Sequence, residues 1–302
     1  NFDRVTFEVT DGYQTIEPID ITVTIVGANN TTDYDGEEHT VTGYTATADN
    51  DLYNVETDFT FTPAADATLV GSVIAAKRTD VGTTNMGLAP EQFANTNPNF
   101  DRVTFEVTDG YQTIEPRPVT LTSATDSKIY DGTPLTNSTV TVGGDGFVTG
   151  EGATYDVTGT QTEVGTSYNT FTYTLNSNTD ANNYTITKIE GTLTILIDSV
   201  PPCIGCDPIA GVSCEDIGNQ TRTNDANQNY YTHSGTAWDV NATDNSGAVP
   251  TLTWTLTGAT TASGSTTLDG QKFYIGVTTV TWTAKDPAGN TADCSFNVTV
   301  ND

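Results

Sequence analysis

Eighteen residues, NFDRVTFEVTDGYQTIEP, occupy positions 1–18 and return letter for letter at 99–116. An active site is seldom duplicated unchanged, whereas a stacked building unit often is, so the chain reads as modular. Within the repeat, Val103, Phe105 and Val107 alternate with Thr104, Glu106 and Thr108, the period-two pattern of a half-buried strand. Asp109–Gly110 then supplies a tight-turn signal. The alternation recurs in TNSTVTV, NTFTYTL, NYTITKI and GTLTILI between residues 136 and 197, and no long segment has a 3.6-residue period. PAADATLVGSVIAAK (63–77) admits a short helix or a strand. Pro116 and Pro118 lead us to expect an edge strand or a linker over YQTIEPRPVTLT, because proline cannot donate to a ladder.

The duplication extends beyond the identical stretch. ITVTIVGANNTTDYDG (21–36) matches VTLTSATDSKIYDG (119–132) in pattern, with Tyr34-Asp35-Gly36 answering Tyr130-Asp131-Gly132. We therefore expect repeats over 19–116 and 117–198, with 1–18 as the closing strands of a preceding repeat. That segment is expected to be extended, lying against the first full repeat or standing in for a neighbour's missing strands. A proline-bearing linker covers 199–207, and a different module covers 208–302. Because the chain opens inside a strand-like pattern, it is expected to be a mature form or a piece of something longer.

Hydrophobic residues make up 35% and charged residues 16%, which leaves Thr, Asn, Ser and Gly to fill the rest. Thr is stiff at χ1 yet polar, which suits strands with one wet face, and Asn, Asp and Gly suit the turns between them. The 39 acidic residues outweigh 10 basic ones for a net charge of −29. Such a surface repels phosphate backbones and anionic lipid heads, so neither nucleic acid nor membrane insertion is expected. No run of eighteen or more apolar residues is present.

The final segment, with THSGTAWDVNATDNSGA and GVTTVTWTAKDPAGNTADCSFNVTV, resembles the hyalin repeat (HYR) family of immunoglobulin-like sandwiches. It is most similar to copies in long surface proteins of Bacteroidetes, including gliding and adhesion proteins exported by the type IX pathway. Relatives often carry a Cys where this chain has Ser246. The two earlier repeats, with KIYDGTPLTN and NYTITKIEGTLTI, resemble the YDG/MBG-type repeats of bacterial adhesins, which are all-β or β-grasp-like stalk components.

Four cysteines raise a metal reading, since Cys203 and Cys206 have the spacing of half a zinc knuckle. The second half is missing, and in an exported chain disulfides are favoured. The hyalin-repeat resemblance implies a Cys214–Cys294 bond, which leaves Cys203 and Cys206 to close a small loop in the linker. His39 lies in a turn-like GEEHT. His233 precedes Ser234 and stands near Asp239, but neighbours on a strand face opposite ways and cannot form a nucleophile–base pair. No catalysis is expected. Oxygen-rich loops at Asp244–Asn245, Asp286–Asn290 and Asp49–Asp51 lack EF-hand spacing, and Asx turns account for them. No cofactor is expected; if calcium does bind, the candidates are Asp244, Asp286 and Asn290. Trp238, Trp254 and Trp282 are expected in the core. A Lys–Asn isopeptide crosslink stays open, as nothing singles out a pair among five lysines.

These readings give an all-β chain: tandem immunoglobulin-like β-sandwich and β-grasp-like modules in an elongated array. The expected role is a stalk or filament segment of a secreted bacterial surface adhesin. Its partners would be neighbouring repeats and extracellular glycans or proteins. The alternatives are a carbohydrate- or protein-binding adhesive module, and accessory domains of an extracellular polysaccharide-degrading enzyme.

Overall fold

A computed structural model describes residues 3–207 and 211–302, so the expected start of the last module at 208 falls outside the described residues. The fold is all-β, with 48% of residues in strands and 3% in helices. Its backbone divides into two compact units, one of Asn1–Thr120, Val142–Ala153 and Leu175–Thr187, the other of Leu121–Thr141, Thr154–Thr174 and Lys188–Asp302.

In the first unit, β1 (Asp20–Gly27) and β2 (Asn29–Asp33) open the fold, while β3 (Arg102–Thr108) and β4 (Tyr111–Glu115) close it. The pairings are parallel: β1 with β3 from Asp20↔Arg102 to Val26↔Thr108, and β2 with β4 from Asn29↔Tyr111 to Asp33↔Glu115. Alternation decides which side chains turn inward. Ile21, Val23 and Ile25 of β1 are buried, and the threonines between them are half-buried on the other face. They meet Tyr53, Ile74, Phe93 and Phe100, and Phe93 contacts the rings of Tyr44, Phe59, Phe61 and Phe105. The ambiguous 63–77 segment resolves as a hairpin of Leu69–Val70 and Val73–Arg78, because Ile74, Ala75 and Ala76 fill the core in extended form.

Both strand pairs change sheets at glycine. The Gly27 and Gly110 backbones lie against each other, and a Cβ on Gly110 would overlap the Ala28 carbonyl oxygen.

The same plan recurs with β5 (Arg117–Ser123), β6 (Asp126–Ile129), β7 (Tyr184–Ile189) and β8 (Thr192–Leu196). Strand β6 pairs parallel with β8, and β5 lies between Val140–Gly144 and β7. Here Gly191 makes the close approach, against the carbonyls of Ser123 and Ala124. The proline expectation needs correction: β4 and β5 are both central strands. Pro116 falls in the gap between them. Pro118 is the second residue of β5, and its carbonyl accepts from the Asp145 amide at 3.0 Å. A proline at a strand's start removes a donor without breaking the ladder beyond it.

The final segment is built on a five-stranded sheet in which β9 (Gln220–Thr223) pairs parallel with the last strand. Strands β10 (Thr251–Gly258), β11 (Gly276–Lys285) and β12 (Thr291–Asn301) form its antiparallel centre. Trp254 stands opposite Trp282, and both join Trp238, Phe273 and Phe296 in one buried cluster. All three tryptophans are therefore core residues. Trp282 Nε1 donates to the Trp238 carbonyl at 3.1 Å and Trp254 Nε1 to that of Thr267 at 3.0 Å, which satisfies their only polar groups.

The first copy of the doubled stretch behaves differently from the second. Residues 3–19 belong to no strand, and Phe7, Tyr13 and Ile16 are 84%, 92% and 87% exposed. Ile114, the counterpart of Ile16, is 1% exposed. Over residues 3–17 the side chains are thus exposed to solvent rather than packed on the first repeat, while the Pro18 carbonyl accepts from Arg102 Nη2 at 3.0 Å.

Candidate cation site

Three aspartates from distant parts of the second unit converge. Asp198 follows β8, Asp244 opens the DNSG loop, and Asp286 opens the DPAGN loop between β11 and β12. Each is set by its local turn. Asp198 Oδ1 accepts from the Val200 amide at 3.1 Å, and Asp244 Oδ2 accepts from the amide and hydroxyl of Ser246 at 2.9 and 2.5 Å. Asp286 Oδ1 accepts from the Gly289 and Asn290 amides at 2.6 and 2.8 Å. Two asparagines tie the loops together. Asn245 Nδ2 donates to Asp198 Oδ1 at 3.2 Å, while Asn290 Nδ2 reaches Asp286 Oδ2 at 2.9 Å and the Asp198 carbonyl at 3.2 Å.

One carboxylate oxygen from each aspartate lies within 4.8 Å of the others. Asp198 and Asp286 are 6% and 4% exposed, and Asp244 is half-buried. Asp198 Oδ2 and Asp244 Oδ1 are buried with no hydrogen-bond partner. Like charges this close repel by on the order of 3 kcal/mol per pair at an effective dielectric near 20. Among the described residues no lysine, arginine or histidine forms an ion pair with any of them. A groove of about 560 Å³ reaches the cluster, lined by Tyr130, Glu163, Val164, Ile197, Asp198 and Asn290.

On sequence alone, Asx turns account for the loops of Asp244, Asp286 and Asn290, and the three residues are the candidates if calcium binds; the structure places all three at this cluster. Asn290, however, turns its amide nitrogen onto the Asp286 carboxylate and the Asp198 backbone carbonyl and serves as a tie. Asp198 was missed because it sits at the linker boundary with no motif around it. Asp49 and Asp51 lie apart, in the first unit, and both are exposed; Asp49 Oδ1 accepts from the Thr22 amide.

The remaining candidates are structural. Cys203 joins Cys206, and Cys214 joins Cys294, with Cα–Cα separations of 5.6 and 5.7 Å. Among the lysines, Lys77, Lys128 and Lys188 are engaged by Glu38, Asp131 and Glu190, and Lys272 lies over Tyr230. His39 pairs with Asp35 at 2.9 Å. His233 is 3% exposed, and its ring lies flat on Trp238 at 3.9 Å with neither nitrogen hydrogen-bonded. Ser234 points outward, and Asp239 Oδ1 accepts from the Leu268 amide, so these residues form no nucleophile–base pair.

Burial holds the His233 imidazole below its ordinary value of 6.5, with nearby Asp239 opposing. Below that value the unfolded chain binds the proton more readily than the folded one. This contribution to stability should therefore be full above about pH 6.5 and be lost as pH falls below that value. Urea titrations followed by tryptophan fluorescence should show that slope, and His233→Phe, which keeps the ring stack, should flatten it. An unchanged slope in the variant would assign the effect to other groups.

No curated protein matches the chain in sequence. Among solved structures, a protocadherin gammaB7 EC3-6 cis-dimer structure is similar at 12% identity over 92% of this chain and 72% of that one, with a TM-score of 0.36. A 1.5-MDa bacterial ice-binding adhesin is similar at 14% identity over 95% and 100% of the two chains, with a TM-score of 0.24. The Yersinia pseudotuberculosis adhesin InvE follows at 14% identity over 60% and 58%, with a TM-score of 0.19. Residues 238–300, which carry the tryptophan core, Cys294 and two of the three clustered aspartates, match the HYR domain family.

Proposed function

We propose that this chain is a spacer segment of a secreted bacterial surface adhesin, holding adhesive regions away from the cell. The observation behind this reading is a shared strand order. In all three sequence-defined modules an opening strand runs parallel to a closing strand: β1 with β3, β6 with β8, and β9 with β12. Within each module the chain thus enters at one end of a sheet and leaves at the other. Tension applied to such a pair loads its hydrogen bonds together, in shear. The extracellular setting rests on two disulfides and on the HYR match. Among the described residues no helix is long and apolar enough to cross a membrane.

The bare N-terminal copy fits the same reading. Val5, Phe7, Val9 and Ile16 are the counterparts of Val103, Phe105, Val107 and Ile114, which face the first unit's interior. Residues 3–18 thus carry the side chains that would complete the sheets of another copy of this repeat.

A binding role has one structural argument, a groove of about 520 Å³ lined by Tyr34, Arg117, Phe147, Glu151 and Asn178. Its polar groups are largely engaged with one another. Tyr34 and Tyr184 both donate to Glu151, at 2.8 and 2.6 Å, and Arg117 donates to the Asp145 and Gly146 carbonyls. Burial and the Glu151 carboxylate together push the Tyr34 hydroxyl up to about 12.

Pulling the full chain from its two ends in a single-molecule experiment should give separate unfolding events. The last module should release little beyond its disulfide loop, since Cys214–Cys294 closes 80 residues. A single event, or smooth extension at low force, would remove the mechanical reading. Saturable binding on a glycan or protein array would instead make the chain an adhesive module in its own right.

A further inference from the structure

We propose that Asp198, Asp244 and Asp286 bind one calcium ion, which clamps the segment leaving β8 onto two loops of the HYR-containing module. This site goes beyond the spacer reading and does not depend on it.

The cluster is preorganised and incomplete at the same time. Loop amides and Ser246 engage one oxygen of Asp198 and of Asp244, which fixes both carboxylates in place. The other oxygen of each, Asp198 Oδ2 and Asp244 Oδ1, is buried without a donor. A protein interior satisfies such atoms or supplies an ion, because a buried carboxylate with a bare oxygen is strongly disfavoured. The nearby asparagines do not fill this role, since their amide nitrogens already serve other acceptors.

The donor set selects the metal. All three donors are carboxylate oxygens, with no histidine or thiolate among them, which favours a hard cation over zinc or copper. Calcium takes oxygens at about 2.3–2.6 Å, so ligands on one ion lie at most about 5 Å apart. The 4.8 Å limit on the three oxygens fits inside that sphere. Magnesium, at about 2.0–2.1 Å, demands a tighter octahedron and keeps most of its waters. The groove beside Asp198 and Asn290 admits the ion and the waters that complete its shell.

Calorimetric titration of the chelator-stripped full chain with calcium chloride should show one saturable site. Its dissociation constant should fall in or below the range of extracellular modules, about 10⁻⁴–10⁻³ M. Magnesium chloride should bind at least roughly tenfold more weakly. Asp198→Asn should weaken calcium binding by roughly tenfold or more, as should Asp244→Asn, which changes a less buried residue. Asp51→Asn, at an exposed site in the first unit, should leave binding unchanged. Thermal unfolding separates lost ligation from lost folding. In chelator, Asp198→Asn should melt no lower than the parent, because it relieves charge repulsion, while the calcium-induced rise in melting temperature should vanish. No saturable heat up to about tenfold above that range, equal affinity for magnesium, or parent-like affinity in both asparagine variants would overturn the assignment. So would an Asp198→Asn protein that melts well below the parent in chelator, since the carboxylate would then be satisfied without an ion.

Discussion

Replacing Gly110 with alanine should destabilise the first unit by about 3 kcal/mol, whereas the same change at Gly12, in the same eighteen-residue sequence, should have no measurable effect. Backbone conformation is not the cause, since Gly110 does not occupy the left-handed region. The obstacle is contact: a Cβ there meets the Ala28 carbonyl oxygen, the Gly27 backbone and the Met86 sulfur. Met86 can rotate away, but the two backbone neighbours cannot. The Ala28 carbonyl already accepts from the Tyr111 amide at 3.1 Å, and the Gly110 carbonyl accepts from the Met86 amide at 2.8 Å. Overpacking a well-filled site costs about 1–3 kcal/mol, and backbone-on-backbone contact belongs at the upper end of that range. Gly12 has no heavy atom within 4 Å of the position its Cβ would take. Calorimetric melting of both variants checks the contrast. Fusing residues 19–98 ahead of Asn1 recreates the 19–116 sequence across the join, and in that fusion Gly12→Ala should become as costly as Gly110→Ala. If it stays silent there, the N-terminal copy is not a closing strand pair.

This contrast also marks how far the sequence can be read. Alternation in RVTFEVT identified a strand, and at 102–108 the strand exists with Val103, Phe105 and Val107 turned inward. At 4–10 the same letters form none. Period two says which side chains a strand would bury, but the acceptor that makes it a strand comes from β1, about eighty residues away in the chain. The tryptophan core was legible because Trp254 and Trp282 each sit in phase with apolar neighbours on long strands. Pro118 misled because a composition rule cannot see that its missing donor falls at a strand's first turn of the ladder. The aspartate cluster was not legible as a cluster. The wording of DNSG and DPAGN marked Asp244 and Asp286 as Asx-turn residues, and each accepts from an amide of its own loop. Asp198 has no such wording, and only the tertiary fold brings it to the other two.

Removing the Cys214–Cys294 bond by double serine substitution should destabilise the last module by roughly 4 kcal/mol, the largest effect expected of any disulfide change in this chain. In the chain-entropy picture the benefit grows with the logarithm of the closed loop, and this bond closes 80 residues. Cys203–Cys206 closes only three, so its removal should cost about 1–2 kcal/mol on the same basis. The long bond also has a local role. Cys214 begins the single helical turn Cys214–Ile217, which Ser213 and Asp216 cap reciprocally, and it is 4% exposed within the tryptophan cluster. Cys294 lies on β12 opposite Trp282. The bond therefore fixes the module's first turn to its last strand, across the same core that β9 closes by pairing with β12. Because Trp238, Trp254 and Trp282 are the only tryptophans and all lie in this module, their fluorescence in a denaturant titration reports its stability alone. A loss under about 1 kcal/mol for the Cys214/Cys294 pair, or a larger loss for the Cys203/Cys206 pair, would mean that strand pairing rather than the long crosslink holds the module's two ends together.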